Sequence, residues 1–107
     1  MTSIDYGTPF SETATHATSA VASHAAVAGR TYYITDIAAS TDKAGALLLV
    51  KQGTTVIWQM QLAATAAGNL AFAQSFKVPI KAVTGALVSV TIDGTSACNA
   101  NIAGYEL

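Results

Sequence analysis

The chain has one cysteine, two prolines, one tryptophan and very little charge. Each scarcity excludes something. A lone Cys98 rules out an internal disulfide and any multi-cysteine metal site. It sits in "SACNANIAGY", in step with Ala100 and Ile102, and reads as a buried thiol rather than a nucleophile. Charged residues make up 10% of the 107 positions, against about 25% in ordinary soluble domains. The net charge is −1, and Arg30, Lys43, Lys51, Lys77 and Lys81 are dispersed, so there is no basic footprint for nucleic acid. Long apolar runs are missing too. "AGALLLV" (44–50) falls far short of the ~20 residues that cross a bilayer, so no membrane is expected as a partner. The first ten residues, "MTSIDYGTPF", lack the basic and apolar regions of a signal peptide.

The chemistry of catalysis is equally sparse. The carboxylates are Asp5, Glu12, Asp36, Asp42, Asp93 and Glu106, and the histidines are His16 and His24. None falls in a triad, a phosphate loop or a metal motif, so the chain reads as a non-enzyme without cofactor or metal. Asp42 and Asp93 sit in predicted turns, where aspartate bonds local backbone. Asp36, inside "YITDI", is the most notable acid; it is expected to face solvent or to pair with a cation such as Arg30. On one straight strand His16 and His24 would stand roughly 26 Å apart, too far to share an ion except across a trimer axis.

What is present is alanine, serine and threonine in quantity: 51% of the chain is hydrophobic but only 7% aromatic. A weakly charged surface of small residues suits a protein covered by neighbours, as well as a small free β domain. Residues 1–12 read as an extended N-terminal arm, with Tyr6 and Phe10 as its anchors on a partner. Residues 13–28 read as one or two strands with a break near Ser23-His24, a short helix being the alternative.

From Gly29 the pattern is alternation cut by turns. "TYYITDIAAS" carries apolar groups on both faces, as in a strand buried on one side and contacted on the other, and Tyr32 and Tyr33 are its contact candidates. "ALLLVK" and "VIWQMQL" flank a tight "QGTT" hairpin, with Val56, Trp58, Met60 and Leu62 assigned to a core face. "AATAAGN" (63–69) reads as a loop. "LAFAQSFKVPIK" places Leu70, Phe72, Phe76, Val78 and Ile80 on one parity, and its Pro79 marks an edge, a bulge or an end. "LVSVTID" and "CNANIAGYEL" close the series, with Val88, Val90, Ile92, Cys98, Ala100 and Ile102 inward. Seven or eight short strands spaced by turns predict an all-β fold, a two-sheet antiparallel β-sandwich or jelly roll over 13–107 behind the arm of 1–12.

"AAVAGR", "TYYITDIAAS", the "QGTT" hairpin, "VPI", "TGALVSVTIDGT" and the closing "NIAGYEL" together resemble small bacteriophage virion β-sandwich proteins, of the capsid cement or decoration type. The resemblance spans Ala25 to Leu107. It implies a structural protein on the capsid surface, assembled in the bacterial cytoplasm. Its partner would be the major capsid protein, and it would cement neighbouring capsid subunits as a homo-oligomer, with a trimer favoured. Tyr6, Phe10, Tyr32 and Tyr33 would then touch partner subunits. A small tail, collar or fibre module with host-glycan binding is the alternative, and a hydrolase using Asp36 the least favoured.

Overall fold

A computed structural model describes residues 7–62 and 70–107. The "AATAAGN" loop and Tyr6 lie outside the described residues. The fold is all-β: β1 (Thr8–His16), β2 (Ser19–His24), β3 (Tyr32–Thr41), β4 (Leu47–Gln52), β5 (Thr55–Gln61), β6 (Leu70–Lys81), β7 (Val88–Asp93) and β8 (Cys98–Glu106). Two four-stranded sheets pack face to face, in the orders β1-β8-β3-β6 and β2-β7-β4-β5. Successive outer pairs are nested: β1 with β8, β2 with β7, β3 with β6 and β4 with β5, all antiparallel. The chain is thus one long hairpin rolled up so that its pairs fall alternately in the two sheets, which is jelly-roll topology. The innermost turn is Gly53-Thr54, with Gly53 at φ 56°, as a two-residue turn opened by glycine requires.

The core is where the sequence alternates most regularly. Val88, Val90 and Ile92 of β7 are buried, as are Leu48 and Val50 of β4 and Cys98, Ala100 and Ile102 of β8. Each large apolar side chain buried there contributes about 1.5–3 kcal/mol. Cys98 is a free thiol, and its S–H donates to the His16 carbonyl at 3.3 Å.

Bulges shift the alternation in three strands. In β3, Ile34 pairs with Gly104 and Asp36 with Ala103, so Thr35 is an extra residue. Core parity therefore changes within the strand: Tyr32 and Ile34 face inward before Thr35, and Ile37, Ala39 and Thr41 after it. Ile34 and Ile37, which alternation puts on opposite faces of this strand, therefore share one core, while Tyr33 stays on the outer face. In β6 four residues, Phe76 to Pro79, lie opposite Thr35 alone. Pro79 thus sits in a bulge on an edge strand, where its missing N–H costs no ladder bond. Val78, which parity groups with Phe72, Phe76 and Ile80, is thrown outward and is 82% exposed. In β5, Val50 pairs with Trp58 and Lys51 with Val56, so Ile57 is extra and Val56 turns to the outer face. Trp58 keeps its inward direction but sits on an edge strand, half-buried beside Phe72 (6.2 Å) and Phe76 (5.6 Å) of β6.

The N-terminal segment also differs from expectation. No structural break falls at residue 12, because Thr8 to Glu12 already pair with Ile102 to Glu106. Residues 13–16 and 19–24 lie in two strands, interrupted at Ala17-Thr18; the second ends at His24, next to the expected break, and residues 25–28 lie outside it. At that bend the His16 Nδ1 accepts the Thr18 and Ser19 N–H groups at 3.1 and 3.2 Å. The same end of the sandwich is tied by Asp42, whose carboxylate accepts the N–H groups of Thr95 (2.7 Å), Ser96 and Ala97 and the Ser96 hydroxyl. These bonds hold the Asp42 carboxyl below the usual carboxylate range. The tie is therefore present above about pH 4 and fades as acid protonates the group. Thr41 adds a bond between the sheets, its hydroxyl donating to the Asp93 carbonyl at 2.5 Å.

Gly104 is the residue that lets the β3 bulge close, because an added Cβ would collide with the Tyr33 carbonyl oxygen. Gly104→Ala is expected to lower stability by about 2 kcal/mol or more, measured by urea denaturation. Gly53→Ala, where nothing lies within 4 Å of the added carbon, should cost only about 1–2 kcal/mol, from left-handed backbone strain alone. Equal losses in the two variants would count against the steric role of Gly104.

Candidate functional site

The outward face of the first sheet is laid out by the strand register. Cross-strand pairing arranges its residues in four rows running β1, β8, β3, β6. The first row is Pro9, Tyr105, Tyr33 and Lys81; the second is Ser11, Ala103, Asp36 and Ser75. The third is Thr13, Asn101, Ala38 and Ala73, and the fourth is Thr15, Asn99, Ser40 and Ala71. Small side chains leave hollows between the flanking strands. One of about 380 Å³ lies over the second and third rows, lined by Ser11, Thr13, Asp36, Ala38, Ala73, Asn101 and Ala103 among others. A second of about 370 Å³ continues it over the third and fourth rows and shares Ala38, Ala73 and Asn101. Together they form a trough with alanine methyls on its floor.

Asp36 is the charged residue at the head of the trough. The Ser75 hydroxyl donates to its Oδ1 at 2.5 Å and the Thr35 hydroxyl to its Oδ2 at 2.8 Å. These two bonds, the Ser75 one foremost, hold the carboxyl below its ordinary range. The expected partnership with Arg30 is not formed; Glu12 stands 3.1 Å from the His24 imidazole instead. Arg30 instead belongs to the β2–β3 turn, its N–H donating to the Val27 carbonyl at 3.1 Å.

The four expected contact residues separate. Tyr6 lies outside the described residues. Tyr33 does face outward, where its ring stacks on Tyr105 at 5.0 Å and 10° between planes. Phe10 and Tyr32 are core residues, 9% and 0% exposed, and neither is available to a partner subunit. Phe10 stacks on His24 at 4.3 Å, and the Tyr32 edge meets the same imidazole at 4.9 Å. The Tyr32 hydroxyl donates to the Ala25 carbonyl at 2.5 Å, and burial raises its pKa. His24 Nδ1 stands 3.1 Å from Glu12 Oε2. This cluster closes the side of the sandwich between β1 and β2, as Trp58, Phe72 and Phe76 close the side between β5 and β6. The two histidines stand on successive strands, each engaged in local structure. No group of three or more His, Cys, Asp or Glu able to hold a metal ion occurs among the described residues.

A second surface feature lies at the end bearing the β2–β3 and β6–β7 turns. Val27 and Val83 are 48% and 60% exposed there, and Leu107, bonded through its backbone to Thr31, is also exposed. Backbone bonds from Gly85 to Arg30 and between Leu107 and Thr31 hold these segments together.

No family model and no curated protein sequence matches the chain. The functional reading therefore rests on the fold and this surface.

Phe10→Ala distinguishes a core role from a partner contact. It is expected to destabilise the isolated domain by about 3–5 kcal/mol in urea denaturation. Tyr33→Ala should cost about 1 kcal/mol, mainly through the lost ring pair. An unchanged domain after Phe10→Ala would contradict the assignment.

Proposed function

We propose that this chain is a non-enzymatic structural protein of a bacteriophage particle, one that binds the outer capsid surface and cements neighbouring major capsid subunits as a homo-oligomer, a trimer being favoured. The observation that carries the reading is the outward face of the first sheet: a four-strand trough built mainly of Ala, Ser, Thr and Asn, with Asp36 at its head and Glu12 at its rim. Such a face repels neither a protein surface nor adjacent copies, and its small side chains permit close sheet-to-protein contact. Jelly rolls serve as capsid domains and also as lectins, so the face, more than the fold, directs the reading. A cement protein stabilises a shell because it binds the joined subunits and not the separated ones. Repetition over many sites multiplies modest interfaces.

A tail, collar or fibre module that binds host glycans is the second reading. Tyr33 and Tyr105 favour it, since paired outward aromatic rings are common sugar contacts.

Copy number and decoration separate the two. Cement predicts copies on the order of hundreds per purified virion, and saturable binding to undecorated shells that raises their melting temperature. Ser40→Glu, on the outer face, is expected to weaken that binding about tenfold or more while the domain stays folded. A few tens of copies or fewer, or decoration indifferent to this substitution, would contradict the proposal. Because Thr8 to Glu12 belong to β1, a test of the N-terminal arm removes residues 1–6 only.

A further inference from the structure

We propose that the trough of the first sheet is a slot for an arginine side chain presented by the partner protein, with Asp36 receiving the guanidinium. The inference deepens the docking reading above and rests on it only for the identity of the partner.

Three observations carry it. The first is the fixed direction of the carboxylate. Ser75 and Thr35 each bond a different oxygen, at 2.5 and 2.8 Å, which pins the group's orientation and leaves each oxygen further acceptor capacity. A planar fork of N–H donors is the cation that uses two such oxygens at once; an ammonium uses one.

The second is charge. Asp36 has no ion-pair partner among the described residues, and the other acid at the rim, Glu12, is turned to His24. An oriented carboxylate without its own cation is complementary to a cation from outside. Its hydroxyl bonds keep it ionised well into the acidic range.

The third is the floor. Ala38, Ala73 and Ala103 offer methyl surface beside the carboxylate, in a hollow of about 380 Å³. Such a surface suits the aliphatic stem of a long basic side chain. The single contact is weak on its own because it is solvent-exposed. An array of copies on a shell is the setting in which it counts.

The test is a ¹⁵N–¹H NMR titration of the full chain with the blocked tripeptide Gly-Arg-Gly. Its citrulline and lysine counterparts and maltotriose serve as comparison probes. Saturable shifts are expected at the amides of Asp36, Ala38, Ala73 and Ala103, with weak affinity, weaker still for lysine and absent for citrulline. Asp36→Asn should reduce affinity at least about tenfold. Ala73→Leu should do the same by filling the slot while leaving the charge. Ala73 is exposed on an edge strand, so a melting temperature within a few degrees of the original is expected. The slot is overturned if the arginine peptide gives no saturable shifts, if citrulline binds equally, if both variants bind as the original does, or if maltotriose alone shifts these amides. Peptide binding without capsid decoration would sustain the slot and sink the capsid reading. Decoration that survives Asp36→Asn at full affinity would overturn the slot and leave that reading standing.

Discussion

Thr35 has no partner of its own on β8, and the four residues that face it on β6 form a bulge. One unpaired residue decides which side of β3 every later side chain occupies. Strict alternation from Tyr32 and Ile34 would send Asp36 and Ala38 into the core and Ile37 out to solvent. An isolated carboxylate buried among Leu48, Val90 and Ile102 would cost several kcal/mol or be forced to take up a proton. The bulge reverses the outcome: Ile37 is buried, and Asp36 heads the outer trough within reach of the Ser75 and Thr35 hydroxyls. Gly104 makes the bulge possible, because only a residue without Cβ lets β8 pass the Tyr33 carbonyl.

The nested pairing supplies the frame on which this detail sits. Rolling one long hairpin into two sheets leaves four edges, β1 and β6 in one sheet and β2 and β5 in the other. Aromatic groups close both open sides. Phe10, His24 and Tyr32 interlock between β1 and β2, and Trp58 meets Phe72 and Phe76 between β5 and β6. Polar ties finish one end, where Asp42 binds the β7–β8 turn and Thr41 reaches across to β7. A chain with so few aromatic residues spends most of them on these seams. Among the described residues the exception is the pair Tyr33 and Tyr105, which stays on the outer face of the first sheet.

The sandwich was legible from alternation and turn spacing, and so were the inward residues of β7 and β8, whose alternation runs unbroken. Legibility failed wherever an extra residue entered. Period-two reading carries no phase across a bulge, so it separates Ile37 from Ile34, groups Val78 with Phe72 and Phe76, and puts Val56 on a core face, where the structure does the opposite. The local cues to the bulges are Pro79 within β6 and Gly104 within β8, and neither tells how many residues a strand gains. Phe10 was read as an anchor on a partner because an isolated aromatic near a terminus has no periodic neighbours. Its partners, His24 and Tyr32, lie on other strands. Asp36 stood out in the sequence, but its hydroxyl partners could not be seen there. Ser75 is 39 residues away and meets it only through the β3–β6 register. The trough itself was invisible because it is built from residues with no signature of their own, Ala38, Ala73, Asn101 and Ala103, and it appears only when four strands align.

Thiol accessibility tests the bulge most directly. In a Cys98→Ala background, a cysteine placed at position 36 or 37 can be challenged with a small thiol reagent under native conditions. The bulged strand predicts rapid labelling at position 36 and protection at position 37, since Asp36 is exposed and Ile37 is 2% exposed. Rapid labelling at 37 with protection at 36 would mean that β3 alternates without interruption. The trough, its carboxylate and the docking surface built on them would then be wrong.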